Sequence, residues 1–433
     1  VQWRNAHSKW GTYLSQSFFI KSSNLKLGQG EIVLSDLEIH SAENSKVESY
    51  PDAQYALKTI KLDYIDALRG IAALSILLYH IYGTIGIITG WAHPIQIVPE
   101  RIIDLSLAGI PLFFIISAFT LYLSLDNKAG ETRMFLKFYL RRFFRIAPLF
   151  YLLLILVVLD GIMQKMAPPW LEVLANFTLT FNLVPQYAKS LFSDGWTVGV
   201  EMIFYLILPL IFVKVNSIWR SILFFIGMYW LSEGVRNLLG AVIEKNILVS
   251  TNYKFYNFFH WAFIFPIGII CYLIYKLYLP RMRREYRTPA AYIMLSLSLI
   301  ILLLFINNLS LNLALSGLYE PLGKLTGLLE MSPIAFVLLI LSLSLTPNRF
   351  IVNKFTQFFG TISYSLYLIH PFIIDPLKPV YAFIYDHTIY STDISLFLCI
   401  LLTLLIATPI SLLTYRLIET PGIRWGKEVL KKL

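Results

Sequence analysis

The sequence predicts an all-α, polytopic membrane protein: a bundle of about ten transmembrane helices with both termini cytoplasmic. Three observations carry that expectation. Of 433 residues, 57% are apolar and only 14% charged, where a soluble chain carries about 25%, and the mean hydropathy is +0.65. Apolar stretches of about 20 residues recur from residue 66 to residue 416, each long enough to cross a bilayer. Lysine and arginine gather in alternate connections, as cytoplasmic loops require. Together these exclude a soluble enzyme, a nucleic-acid-binding domain as the main activity, and a disordered or collagenous chain. Cys271 and Cys399 both lie in apolar runs, which leaves no disulfide framework and no thiolate metal cluster.

Residues 1–60 read as a polar tail of mixed charge, with a short hairpin signal at GQGEIVLSDLEI, where apolar residues partly alternate after a turn. No signal peptide is expected there. Residues 61–433 form the membrane domain. The ten spans fall at 66–88, 104–125, 143–160, 197–215, 218–236, 257–279, 290–309, 329–346, 358–384 and 393–416. Residues 171–184 and 311–325 are apolar but too short or broken to span, and read as interfacial or re-entrant pieces. With the first helix starting in the cytoplasm, 23 of the 36 basic residues fall on the inner side, 8 on the outer side and 5 in the tail. The net charge of +10 is therefore largely a topology signal, and it faces anionic lipid or an anionic ligand with no need for nucleic acid.

Ionisable side chains inside a span cost a few kcal/mol or more and mark function by default. The first helix, LDYIDALRGIAALSILLYH, carries Asp66, Arg69 and His80. Eleven residues at about 100° each bring Arg69 and His80 to one face, with His80 about 16 Å deeper. The bland alternative is a snorkelling Arg69 and a His80 that satisfies a backbone carbonyl; Asp66, one turn before Arg69, reads as its ion-pair partner. At the start of the third span, RRFFR sets Arg142 and Arg145 on one face, a fork for phosphate oxygens or an ordinary positive-inside cluster. Glu201 enters the fourth span from outside, placed to orient an imidazole or bind a polar substrate. The ninth span carries Ser363, Tyr364, Tyr367 and His370; His370 precedes Pro371 and reads first as a group that satisfies backbone freed by the proline. Glu419, at the end of the last span, is expected to pair with a basic inner loop.

The segments LDYIDALRGIAALSILLYH, PLFFIISAF, RRFFRIAP, WTVGVEMIFY, GTISYSLYLIHP and IETP resemble, in order and spacing, membrane-bound acyltransferase family three, the bacterial O-acyltransferases of surface glycans. The resemblance covers residues 62 to about 421. It implies that Arg69 and His80 are catalytic-site residues, that Arg142 and Arg145 serve the acyl-CoA site, and that Glu201 matches the glutamate of the family's fourth-span motif. Ser117-Ala118-Phe119 stands where the family usually has Ser-Gly-Phe, and Thr197 and Gly199 replace two usual serines, changes expected to alter helix packing or acceptor shape.

The residue reading and the resemblance converge on one enzyme. Acyl-CoA, with acetyl-CoA the favoured case, serves as co-substrate from the cytoplasm and is held at its phosphates by Arg142, Arg145 and Arg69. His80 is the general base, Glu201 orients it or the acceptor, and Asp66, Ser363, Tyr364 and His370 are secondary candidates. No metal is expected. The expected partners are a saccharide or lipid-linked glycan acceptor on the outer side and membrane lipid, with self-association left open, in the inner membrane of a bacterium. Two rivals remain: a secondary transporter that uses His80, Glu201 and Arg69 as its coupling site, although no paired broken helices are found, and a scaffold whose buried charges only fix packing.

Overall fold

The computed structural model describes residues 62–90, 106–243, 253, 255–306, 328–387 and 392–433. The polar tail with its hairpin signal, and the apolar piece at 311–325, lie outside the described residues. Within them there is helix and no strand. The helices are α1 (Asp63–Thr89), α2 (Gly109–Asp126), α3 (Met134–Met163), α4 (Trp170–Phe177), α5 (Gly195–Lys214), α6 (Ile218–Ile243), α7 (Phe258–Trp261), α8 (Ile264–Leu277), α9 (Arg284–Ile306), α10 (Leu328–Leu345), α11 (Lys354–Thr361), α12 (Ser363–His387), α13 (Thr392–Thr414) and α14 (Thr420–Lys431).

Each expected span is mainly helical over its described residues, but among the described residues seven helical segments are long and apolar enough by themselves to cross a membrane. The others depart for visible reasons. Helix α6 carries Glu233 and Arg236, α12 carries Asp375, Lys378 and Asp386 with three prolines, and in α10 the apolar stretch is only Ser332–Leu345, too short to cross by itself. The stretch at 171–184 is the short helix α4 followed by a 3₁₀ turn at Phe181–Leu183. Trp170, Leu171, Leu174 and Phe177 of α4 are exposed, as befits a helix lying at an interface rather than crossing it. Helix α3 begins at Met134, nine residues ahead of the expected start. Arg142 and Arg145 therefore sit about two turns or more inside a helix rather than at its edge.

Apolar residues face both ways, as lipid demands. Leu206, Leu210, Leu223, Leu401 and Leu405 are exposed on outward faces, while Phe119, Phe150, Phe204, Phe265 and Leu368 pack in the centre. Stacked rings hold α5 to α8, with the Phe204 and Phe265 centroids 4.0 Å apart.

Close approach comes from small residues, the usual device where no hydrophobic effect drives helices together in lipid. Helix α1 lies against the short helix α11, and their backbones touch at Gly70 and Gly360. A methyl group at Gly70 would strike the Thr356 carbonyl, and one at Gly360 the Asp66 carbonyl. Backbone oxygens cannot swing aside, so Gly360→Ala should lower stability by roughly 1–3 kcal/mol, the range of overpacked cores. Gly83 of α1 has open space around it, so Gly83→Ala should be neutral or slightly stabilising. Thermal unfolding of both variants in detergent checks the contrast; equal melting temperatures would remove the α1–α11 contact from the account.

Candidate functional site

The fourth of the segments singled out above becomes α5, and its polar residues make a stripe. Asp194 at its N-cap, Thr197, Glu201 and Tyr205 fall within about 80° of arc on an otherwise apolar helix. From Tyr205 to Asp194 is eleven residues, about 16 Å of helix, the same offset that separates Arg69 from His80 on α1. The stripe meets the two ends of that offset: Asp194 reaches His80, and Tyr205 lies toward the arginines.

At the first end, Asp194 is shared by two imidazoles. Its Oδ1 is 3.3 Å from His80 Nε2 and its Oδ2 is 2.9 Å from His370 Nε2, with the rings 5.0 Å apart. His370 Nδ1 lies 3.1 Å from the Leu366 carbonyl oxygen. A carbonyl only accepts, so that nitrogen carries a proton. The carbonyl freed by Pro371 is that of Tyr367, four residues back, so His370 does more than mend the proline break: it faces a carboxylate. The two imidazoles differ in access. The His370 side chain is 1% exposed and that of His80 30%, which leaves His80 as the ring a substrate can reach. Burial by itself would push the Asp194 carboxyl up, but His370 and His80 outweigh it and hold it below the usual carboxylate range. A carboxyl lowered in this way adds stability above roughly pH 4, lost only as pH falls through its lower folded value.

At the other end is a cavity of about 780 Å³, counting its open mouth, whose lining includes Arg69, Arg142, Arg145, Glu201, Thr197 and Tyr367. Ser117, Thr120, Tyr205, Ser363 and Tyr364 also line it. Arg69 is held by Asp66, Nη1 to Oδ1 3.5 Å, and by Thr120, Nη2 to Oγ1 3.3 Å. Arg142 lies 6.0 Å from the Phe138 and Tyr205 ring centroids, and its Nε is buried without a hydrogen-bond partner. Among the described residues neither Arg142 nor Arg145 forms an ion pair, whereas Arg141 pairs with Glu131 at 3.3 Å. An ordinary positive-inside cluster would treat the three alike.

Glu201 is on this cavity, not beside His80. Its carboxylate accepts from Ser117 Oγ, and since serine has one proton, Tyr205 Oη, 3.1 Å away, donates to Ser117. The carboxylate that touches His80 is Asp194, which sequence reasoning missed. Asp before an apolar helix reads as an ordinary N-cap, and only the absence of any capping bond from its side chain separates it from one. Ser363 donates to the Gly360 carbonyl at 2.9 Å and Tyr364 to the Ile146 carbonyl at 2.8 Å, so both hydroxyl protons are committed to backbone. Glu419 sits in a π turn, Tyr415–Glu419, buried and bonded to Ser365. It bonds to another transmembrane helix, and of the inner basic cluster Arg145 acts on it.

The substitutions at 197 and 199 acquire reasons. Thr197 Oγ1 is 2.9 Å from Tyr367 Oη. At Gly199 any Cβ would collide with the Asn182 side chain and the Phe181 ring, so serine does not fit this backbone. His80, Asp194 and His370 also offer three ligand atoms within 4.8 Å of one another, the residue types of a 2-His-1-carboxylate site. Arg142 and Arg145 are the cavity residues whose charge suits an anion.

The fold and this site define a multi-pass membrane protein with a buried acid–base cluster adjoining an arginine-lined cavity. The model of acyltransferase family three, described as an acyltransferase domain, matches residues 62–416, and the chain belongs to that family. It is similar to the ORF330 protein of Acidianus two-tailed virus, provisionally named an acetyltransferase, with 26% identity over 312 residues, 71% of this chain and 81% of the relative. No solved structure matches. The protein is thus an acyl-transferring membrane enzyme.

Asp194→Asn keeps volume and loses the charge that holds His80. Turnover should fall about 10²–10⁴-fold, the usual weight of a disabled acid–base group, and the melting temperature should fall as well, because the same charge ties α1 to α12. Glu201→Gln, away from His80, should leave the pH profile of turnover in place. Parallel pH–rate curves for the two variants decide which carboxylate serves the imidazole.

Proposed function

We propose that this enzyme moves an acyl group, most simply acetyl, from cytoplasmic acyl-CoA to a hydroxyl of a saccharide or lipid-linked glycan at the outer side of the cytoplasmic membrane. The observation that carries the reading is the pair of cavity arginines, Arg142 and Arg145, which form no ion pair among the described residues. A guanidinium with a buried, unbonded nitrogen, as in Arg142, needs an anion, and the phosphates of a nucleotide thioester suit the planar forks of both arginines. The positive-inside bias puts this end of the bundle in the cytoplasm. From there a thioester on a long, thin arm follows the α5 stripe about 16 Å to the acid–base cluster. An acceptor from the opposite side meets it there, so the nucleotide never crosses.

In this reading His80 takes the proton of the acceptor hydroxyl. Its Nε2 faces Asp194, which favours the tautomer with the proton on Nε2 and leaves Nδ1 as the basic nitrogen. Asp194 then stabilises the imidazolium formed. Arg69, tied to Asp66 and Thr120, is the fixed cation between the phosphate end and the base, and Glu201 with Ser117 and Tyr205 forms the polar wall of the donor path.

The test is purified protein in lipid with radiolabelled acetyl-CoA and a glycan acceptor. Acceptor labelling is expected; movement of an intact solute without labelling would instead make the chain a transporter. His80→Ala should bind acyl-CoA and lose about 10²–10⁴-fold in turnover.

Arg142→Lys with Arg145→Lys keeps the charge and removes the forks, so acyl-CoA affinity should drop, by about tenfold or more if each lost bidentate bond is worth over 1 kcal/mol. Calorimetry giving unchanged affinity would return both residues to a topology role. A chelator should leave turnover intact; loss of activity restored by a divalent cation would make the two histidines and Asp194 metal ligands instead.

A further inference from the structure

The donor path and the acid–base cluster meet at one pair of hydroxyls. Thr197 of α5 and Tyr367 of α12 are the cavity-lining residues nearest in sequence to Asp194 and His370, each three residues away along its own helix. Their oxygens are 2.9 Å apart. The Tyr367 ring is held on both sides, 5.7 Å from Phe113 and 6.0 Å from His370 between centroids, and His370 is in turn 5.0 Å from His80. Along α12, Ser363, Tyr367 and His370 occupy an arc of about 60°. Tyr367 is thus the polar group at which the cavity gives way to the cluster.

Counting protons shows what this pair can do. Thr197 Oγ1 is also 3.1 Å from the Asp194 carbonyl oxygen. That oxygen only accepts, and threonine has a single proton. In one arrangement Thr197 donates to the carbonyl and Tyr367 donates to Thr197. In the other Thr197 donates to Tyr367, and the phenolic proton is released toward the cavity. Both arrangements keep the heavy atoms in place, so the donor can be offered without moving the protein. Of the other hydroxyls on that wall, Ser363 and Tyr364 are committed to carbonyls and Ser117 to Glu201.

We propose that the Tyr367 hydroxyl is the oxyanion donor of the transfer, freed for that role by Thr197; this rests on the acyltransferase reading above. The acceptor oxygen forms a bond to the thioester carbon while its proton passes to His80. The carbonyl π pair moves onto oxygen, where the Tyr367 O–H bonds to it. Collapse restores the carbonyl and breaks the C–S bond, and the departing thiolate takes the proton from His80. The products are the ester and free coenzyme A thiol, and the enzyme returns unchanged. A phenol is a stronger donor than an alkanol hydroxyl, and a fixed donor aimed where charge develops is the largest single contribution in many acyl transfers.

The experiment compares wild type, Tyr367→Phe and full-length protein carrying fluorinated tyrosine at 367, all in lipid, for acetyl-CoA affinity and for labelled-acceptor turnover. Tyr367→Phe should lower kcat about 10²–10³-fold with acetyl-CoA affinity unchanged. Across the fluorotyrosines, which preserve the ring if the phenylalanine variant fails to fold, kcat should vary with phenol acidity. Wild-type kcat in Tyr367→Phe, or a flat fluorotyrosine series, overturns the assignment, as does a change confined to acetyl-CoA affinity. A wild-type protein that binds acetyl-CoA yet labels no acceptor and releases no thiol fails at the acyltransferase reading itself, which the turnover of the wild type reveals before any variant is compared.

Discussion

A carboxylate in an apolar bundle must find partners or lose its charge, and Asp194 answers that constraint with two imidazoles. This one arrangement places three elements. It ties α1, which carries His80, to α12, which carries His370, through the N-terminus of α5. From that junction the rest of the α5 stripe runs toward the opposite end of the bundle, where Tyr205 and Glu201 line the cavity with the arginines. The site is a consequence of how a buried charge is accommodated, with the glycine contact of α1 and α11 supplying the close approach that positions α1.

The polar groups divide into those already satisfied and those left waiting. Arg69, Ser117, Ser363, Tyr364 and Glu419 each have a partner within the bundle. Arg142 keeps a buried nitrogen unbonded, and Arg145 forms no ion pair among the described residues. Native interiors leave few such groups, and one on a cavity-lining residue is placed to meet a ligand. The contrast between Arg141, paired with Glu131, and its neighbour Arg142 is the clearest local sign that one face of α3 is built for something beyond the helix.

Substitutions that looked like departures from the family pattern are accommodated by their neighbours. Gly199 is required because Asn182 and Phe181 of the 3₁₀ turn press on the helix, and Thr197 supplies the same hydroxyl that serine would, in contact with Tyr367. The turn after α4 and the N-terminal half of α5 are fitted to each other.

Much of this was legible in the chain. Hydrophobic run lengths found the helices, because a bilayer imposes its thickness on sequence directly. The helical period placed Arg69 and His80 on one face, and intramembrane charge singled out most of the residues that converge. What stayed hidden is which charges meet. Asp194 looked like a cap because capping residues and ligands share a chemistry, and whether Glu201 serves His80 or the acceptor stayed open because depth can be counted along a helix while neighbours across a bundle cannot. The start of α3, and with it the depth of Arg142 and Arg145, also escaped run-length reasoning, since an amphipathic turn ahead of a span is helical without being apolar. A sequence specifies faces and depths through local periodicity; pairing between faces depends on helix rotation and crossing, which only the packed bundle decides.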